Sequence, residues 1–449
     1  MNKLLSVALL SMLGACAVGP DYERPATDLP ESWGKPVEDA TYLSSWWQRF
    51  EDPQLNAFIE ESLANNYDLR AALANVDAAA AALRRSRAEL YPGINGRVES
   101  NRSKASENAS FPIPSAPVTE YRAGLEIVSY ELDIWGRVRR ANEAALAELH
   151  ADTAVMHGVR ASLAASVAQT YFQALALDQQ QSLLERLHAT RIDNEQLQKL
   201  RLDGGLISPY DFEQARSETA AVAAQLPDLR ERRRQAITAL AVLRGKSPAE
   251  IFAAWESAGS FAADGLPDVP AVPVDLPASM LERRPDVIEA EQRLIAANAR
   301  IGETKADYFP SLSLNAFAGG LSTSASTLDT NSSQNWNVSS ALTMPLTRLR
   351  RIASRVDGAE SLAEAATANY AATIQVAFQE ALNALGVVES TRGIRDAQND
   401  RVSALRNAYR VSTARYGVGR IGYLELLDVE RQLRQVEQQQ VDANLAELL

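Results

Sequence analysis

The sequence predicts a mainly α-helical chain with four strand-length segments suited to a membrane β-barrel, built as two copies of one unit. Three observations lead there. First, motifs recur in order along the chain. Arg87-Ala88-Glu89-Leu90-Tyr91-Pro92 is echoed by Lys305-Ala306-Asp307-Tyr308-Phe309-Pro310, and Gly136-Arg137-Val138-Arg139-Arg140 by Thr347-Arg348-Leu349-Arg350-Arg351. Arg201 with Gly205-Leu206-Ile207 is echoed by Arg415 with Gly419-Arg420-Ile421. Second, the helical stretches 137–202 and 350–416 run far beyond the roughly three turns of an average globular helix. Third, the four segments between helices have about the 10-residue length of one barrel strand.

Residues 1–15 read as a signal peptide: Lys3 precedes an apolar run of about 10 residues, half the roughly 20 that span a bilayer as a helix. Leu13-Gly14-Ala15-Cys16 follows, the pattern of a bacterial lipobox, in which Cys16 is acylated and becomes the mature N-terminus. It is the chain's one cysteine, so no disulfide framework or cysteine-rich metal site is available. Forty-five Lys and Arg against 57 Asp and Glu leave a net charge of -12, which argues against a nucleic-acid partner.

Each unit then carries long helices and a pair of strands. In the first long stretch, Met156, Leu163, Leu177 and Leu184 fall on a sevenfold series with Val167 and Ala174 on the adjacent seam, a spacing suited to coiled-coil packing. A helix of that length reaches roughly 100 Å. After a turn at 203–209 a second helix carries Phe212, Ala215, Thr219, Val222, Leu226 and Leu229 on one stripe that continues past Pro227, so the proline bends rather than ends it. The second copy repeats the plan from 350 to 416 and again from Tyr423 through Leu426, Val429, Leu433 and Val436, after a turn at 417–422. The copies, 61–244 and 279–449, flank a segment at 245–278 in which prolines at 267, 270, 273 and 277 favour an extended connector.

The strand segments are 92–104, 119–134, 310–323 and 335–346. Tyr121, Ala123, Leu125 and Ile127 alternate with Glu120, Arg122, Gly124 and Glu126; Trp336, Val338, Ser340, Leu342 and Met344 alternate with Asn337, Ser339, Ala341 and Thr343. The first segment alternates weakly. Alternation alone suits a soluble half-buried sheet as well as a barrel wall. Four strands cannot close a barrel, and open edges are not tolerated in lipid. If these strands cross a membrane the chain must oligomerise, and a trimer supplying twelve strands is the attractive solution.

Two signals mislead. Gly417-Val418-Gly419-Arg420-Ile421-Gly422 matches a dinucleotide fingerprint in letters, but a helical stretch rather than a strand precedes it, so these are turn glycines. His150 and His157 are too far apart on a helix for one metal. No nucleophile–base arrangement, H-E-x-x-H or Walker A pattern occurs, so neither an enzyme nor a bound cofactor or metal is expected.

With these pieces placed, the sequence resembles the TolC-like outer membrane factors, in their NodT-type lipoprotein branch serving tripartite efflux pumps. The residues that carry the resemblance begin with Cys16-Ala17-Val18-Gly19-Pro20-Asp21-Tyr22, Arg24-Pro25, Trp46-Trp47-Gln48-Arg49-Phe50, Asp52-Pro53 and Leu55. They continue with Tyr130-Glu131-Leu132-Asp133-Ile134-Trp135-Gly136-Arg137, Arg284-Pro285-Asp286-Val287 with Ala290-Glu291, and Arg415-Tyr416, Gly419, Tyr423-Leu424, Asp428 and Arg431. The resemblance implies a homotrimer forming a 12-stranded outer-membrane β-barrel and an α-helical periplasmic barrel, with residues 16–60 and 245–278 in an equatorial belt. It implies a lipid anchor at Cys16 and a passive conduit without cofactor. Its partners would be a membrane fusion (periplasmic adaptor) protein and an inner-membrane pump of RND type. It implies a periplasmic gate at Leu424, Asp428 and Arg431. The tips touching the adaptor would be Gly204, Gly205, Leu206, Ile207 and Ser208 in one turn and Gly417, Gly419, Ile421 and Gly422 in the other. The alternatives are a lipid-anchored periplasmic coiled-coil scaffold or a type I secretion duct. The cargo is not legible.

Overall fold

The computed structural model describes residues 17–26, 45–104, 106, 116–257, 261, 265–270 and 283–449. The expected signal segment, Cys16 and much of the proline-rich connector therefore lie outside the described residues. Elements follow in the order α1 (Pro53–Asn65), α2 (Tyr67–Ala88), β1 (Asn95–Ser103), β2 (Val118–Leu132), α3 (Arg137–Asp203), α4 (Pro209–Leu243), α5 (Pro248–Ser257), α6 (Pro285–Ala306), β3 (Ser311–Ser322), β4 (Gln334–Thr343), α7 (Leu349–Gly417) and α8 (Tyr423–Leu448). The repeat is visible in this order: a 22-residue helix, two strands and a helix of 67 or 69 residues recur in each half. α4 runs unbroken through Pro227. No described helix is long and apolar enough to cross a membrane.

The chain divides into two compact units, each drawing on both sequence copies. The first contains residues 74–155 and 285–374 with the N-terminal strap, and it holds the sheet. That sheet is antiparallel in the order β1-β2-β3-β4, which leaves β1 and β4 as its edges. A bulge between Ile127 and Tyr130 shifts the register of β2 against β3. The one extra residue keeps Tyr130 and Leu132 opposite Leu314 and Leu312, on the side already taken by Leu125 and Ile127. Nearby, Ala144 and Ala147 of α3 close on Ala296 and Ala299 of α6, where small side chains permit tight helix contact.

The second unit contains residues 29–73, 156–284 and 375–449. Its core gathers Leu163, Val167, Ala174 and Leu177 of α3 with Leu55, Ile59, Trp47 and Leu240. The predicted sevenfold series is thus the buried stripe. Asp52 opens α1 as an N-cap, accepting from the Gln54 and Leu55 N–H groups at 2.8 and 3.0 Å, a role worth about 1 kcal/mol. Its other oxygen accepts the hydroxyl of Tyr171, a fully buried side chain, at 2.7 Å. Burial, reinforced by that carboxylate, raises the Tyr171 pKa and keeps the phenol neutral. Farther along the same unit, Arg244 and Lys246 converge on Glu61 at 2.5 and 2.7 Å.

Candidate functional site

The sheet has two chemically distinct faces. Directly paired residues share a face, and faces alternate along each strand. The pairs Leu125↔Ala318↔Trp336, Ile127↔Ala316↔Val338 and Leu312↔Leu342 therefore line one side, where large apolar groups stand exposed. The opposite side carries Asn95↔Glu126↔Phe317↔Asn337, Arg97↔Gly124 and Glu99↔Arg122. On it Arg97 bridges Glu99 at 2.7 Å and Glu126 at 3.1 Å. The strands so divide into one apolar face and one polar face, with the outer edges of β1 and β4 unpaired among the described residues.

Where β2 passes into α3, the run from Tyr130 to Arg137 forms a corner built from long-range bonds. The Tyr130 hydroxyl donates to the Leu90 carbonyl at 2.8 Å, and the Trp135 indole donates to the Pro310 carbonyl at 2.8 Å. Trp135 also stacks on Phe309 at 4.6 Å. Arg137 clasps Glu131 at 2.7 Å, while Asp133 accepts the N–H groups of Val138 and Arg139, capping α3. The N-terminal strap is fastened to this corner. Ala17 packs against Gly136, and the Val18 N–H donates to the Trp135 carbonyl at 3.0 Å. Asp21 pairs with Arg140 at 2.7 Å, and Tyr22 and Arg24 both reach Glu291. Cys16 lies outside the described residues, yet the residue after it is held at the end of β2.

In the second unit, the turns after α3 and α7 have the same construction. The Leu206 N–H donates to the Arg201 carbonyl and the Gly205 N–H to Leu202; likewise Arg420 donates to Arg415 and Gly419 to Tyr416. Gly205 and Gly419 both have φ +70, the left-handed conformation that this helix stop demands and that glycine adopts without strain. Ser208 then caps α4 in a reciprocal bond with Asp211, and Gly422 stands at the start of α8. The α7–turn–α8 setting of Gly417, Gly419 and Gly422 is that of a helix turn, with no strand before it. Leu206 is 77% exposed and Val418 71%, while Ile207 and Ile421 are half-buried.

Just above these turns a polar ladder joins three helices. From one face of α3, Asn194 donates to the Tyr423 hydroxyl at 2.6 Å, and Gln198 and Arg201 both donate to the Tyr416 hydroxyl. Arg191 meets Glu430 of α8 at 3.1 Å, with side chains only 4% and 8% exposed. Burial raises the pKa of Tyr423. Of the expected gate residues, Leu424 and Asp428 stand exposed, and Asp428 accepts from Gln432 at 2.7 Å. Arg431 does not turn to Asp428 but clasps Glu218 of α4, whose hydrogen bond raises the arginine pKa further. Glu218, Arg191 and Glu430 carried no sequence signal, because their partners are remote along the chain.

Residues 58–246 and 276–448 match the family described as outer membrane efflux protein. The chain is 32% identical to the probable efflux pump outer membrane protein TtgC of Pseudomonas putida, covering 100% of this chain and 93% of that protein. It is also 32% identical to the cation efflux system protein CusC of Escherichia coli, over 99% and 95% of the two chains. Among solved structures, the open state of the Neisseria gonorrhoeae MtrE outer membrane channel superposes with a TM-score of 0.81 at 27% identity, covering 96% of each chain.

Proposed function

The chain belongs to the outer membrane efflux protein family, and from that premise we propose that three copies form the lipid-anchored duct of a tripartite efflux system. The observation that carries this reading is the two-faced sheet with free edges. β4 of one copy pairs with β1 of the next, which satisfies every edge N–H and C=O, as hydrocarbon requires. The apolar face then meets lipid and the charged face lines a water-filled lumen. The duct is passive and non-enzymatic: solutes diffuse through, and an inner-membrane pump of RND type supplies the energy. The exposed apolar turns at Leu206 and Val418 meet the membrane fusion protein.

Acylation of Cys16 fits the strap geometry, because the next residues, Ala17 and Val18, are fastened to the corner that follows β2. Purified protein is expected to run as a heat-modifiable trimer, to conduct in lipid bilayers, and to show Cys16 as an acylated N-terminus by mass spectrometry. A non-conducting monomer contradicts the duct; an unmodified cysteine contradicts the anchor.

At the gate, Leu424 from three copies forms a dewetting constriction and Asp428 a cation-attracting ring. The Arg431–Glu218 clasp holds α8 against α4 and so holds that ring narrow. Arg431→Ala and Asp428→Ala are each expected to raise single-channel conductance severalfold, the first by loosening the helices and the second by removing side chains that narrow the constriction. Wild-type conductance in both variants sinks the gate assignment.

A further inference from the structure

The polar face of the sheet contains one arginine that its neighbouring carboxylates do not hold. Arg122 stands directly opposite Glu99 and two residues from Glu120, yet among the described residues it forms no ion pair. Glu99 is taken by Arg97 at 2.7 Å. The Arg122 guanidinium lies instead 3.8 Å from the centre of the Phe317 ring, and Phe317 is only 3% exposed. Between the two levels, Gly124 and Gly319 face each other across β2 and β3. A Cβ on Gly124 would come within 2.4 Å of the Ala318 carbonyl oxygen, and one on Gly319 within 2.2 Å of that of Ala123. Only glycine fits either position. The pair leaves a stretch of bare backbone between Arg122 and the aromatic ring.

An aromatic face holds a guanidinium differently from a carboxylate. The ring quadrupole attracts and orients the cation, but the ring has no net charge, so the positive charge is positioned without being cancelled. In a chain of net charge -12 whose sheet face also carries Glu99, Glu120 and Glu126, such a fixed cation stands apart.

Resting on the reading that this face lines the lumen, we propose that Arg122 sets the charge selectivity of the outer, membrane-crossing part of the duct. Three copies, each pinned on Phe317, form a ring of uncancelled positive charge. Rings of charged side chains select ions by raising the local concentration of the opposite sign. This ring opposes the entry of cations that the acidic surroundings would otherwise admit, and it provides a transit site for the carboxylate, sulfonate or phosphate groups of anionic solutes.

The test is the reversal potential of the full-length reconstituted protein under a KCl gradient. Arg122→Gln and Arg122→Ser, first confirmed as heat-modifiable trimers, are expected to raise the potassium-to-chloride permeability ratio at least about twofold by removing the ring. Arg122→Lys, which keeps the charge, retains the wild-type potential. Phe317→Leu also retains it but shows noisier open-channel current, because the guanidinium is no longer held. Conducting Arg122→Gln and Arg122→Ser pores with the wild-type reversal potential overturn the proposal. A wild-type protein that forms no pore overturns the duct reading on which it rests.

Discussion

Val338→Arg is expected to abolish assembly in the outer membrane, while Ser339→Arg, one residue along, leaves it intact. Val338 sits near the middle of β4, 62% exposed, paired with Ala316 on the apolar face beside Trp336 and Leu342. Ser339 pairs with Asn315 on the opposite face. An arginine on the lipid side near the bilayer midplane costs ~2–4 kcal/mol per chain, and a trimer incurs it three times. The same residue on the wetted face is solvated and costs little. The measurement is the yield of heat-modifiable trimer in outer-membrane fractions. Equal yields of the two variants would show that the faces do not have the environments assigned to them.

Arg191→Ala is expected to be the most destabilising single change among the polar residues of the second unit. Glu430, 8% exposed at its side chain, would be left as a buried charge without its partner, a loss of about 3–5 kcal/mol. The pair is itself imperfectly satisfied: Arg191 Nε and Glu430 Oε1 are buried with no hydrogen-bond partner among the described residues. Replacing both residues together, Arg191→Met with Glu430→Leu, should therefore be near neutral or stabilising, since the desolvation cost disappears with the charges. Thermal melting of the purified protein, with protease sensitivity at the 203–209 and 417–422 turns, separates the variants. A single alanine variant that melts like wild type would mean that the pair is not buried in the protein as it exists. If the double variant instead melts as low as Arg191→Ala, the ladder needs the ion pair for packing and not only for charge balance.

Much of this architecture was legible in the residues because it is governed by short-range pattern. Leu163, Val167, Ala174 and Leu177 repeat along one helix face, and they are the side chains found in the core. The strand segments expected at 92–104, 119–134, 310–323 and 335–346 enclose or overlap Asn95–Ser103, Val118–Leu132, Ser311–Ser322 and Gln334–Thr343, the differences falling at fraying ends. The β2 bulge was not legible. The alternation of β2 runs as far as Ile127, and nothing in Val128 or Ser129 announces a change of register. The proposed gate shows the same divide. Arg431 and Asp428 stand three apart on a helix, and sequence spacing suggests each other as partners, but Arg431 reaches Glu218, 213 residues away.

The run from Tyr130 to Arg137 shows why. As letters it is a recognisable motif; as structure it is the set of bonds from Trp135 to Pro310 and from Tyr130 to Leu90 that closes the corner. By itself the sequence determined which segments are helix, strand and turn, which face is apolar on the long helices, on β4 and on β2 as far as Ile127, and the family. Backbone propensity and side-chain periodicity act over a few residues, so one chain read in order contains them. Only the tertiary structure decided which carboxylate holds which arginine, where the register slips, and that Arg122 lies on a ring instead of a glutamate. Those choices depend on which distant segments pack side by side and how much water that packing leaves between them.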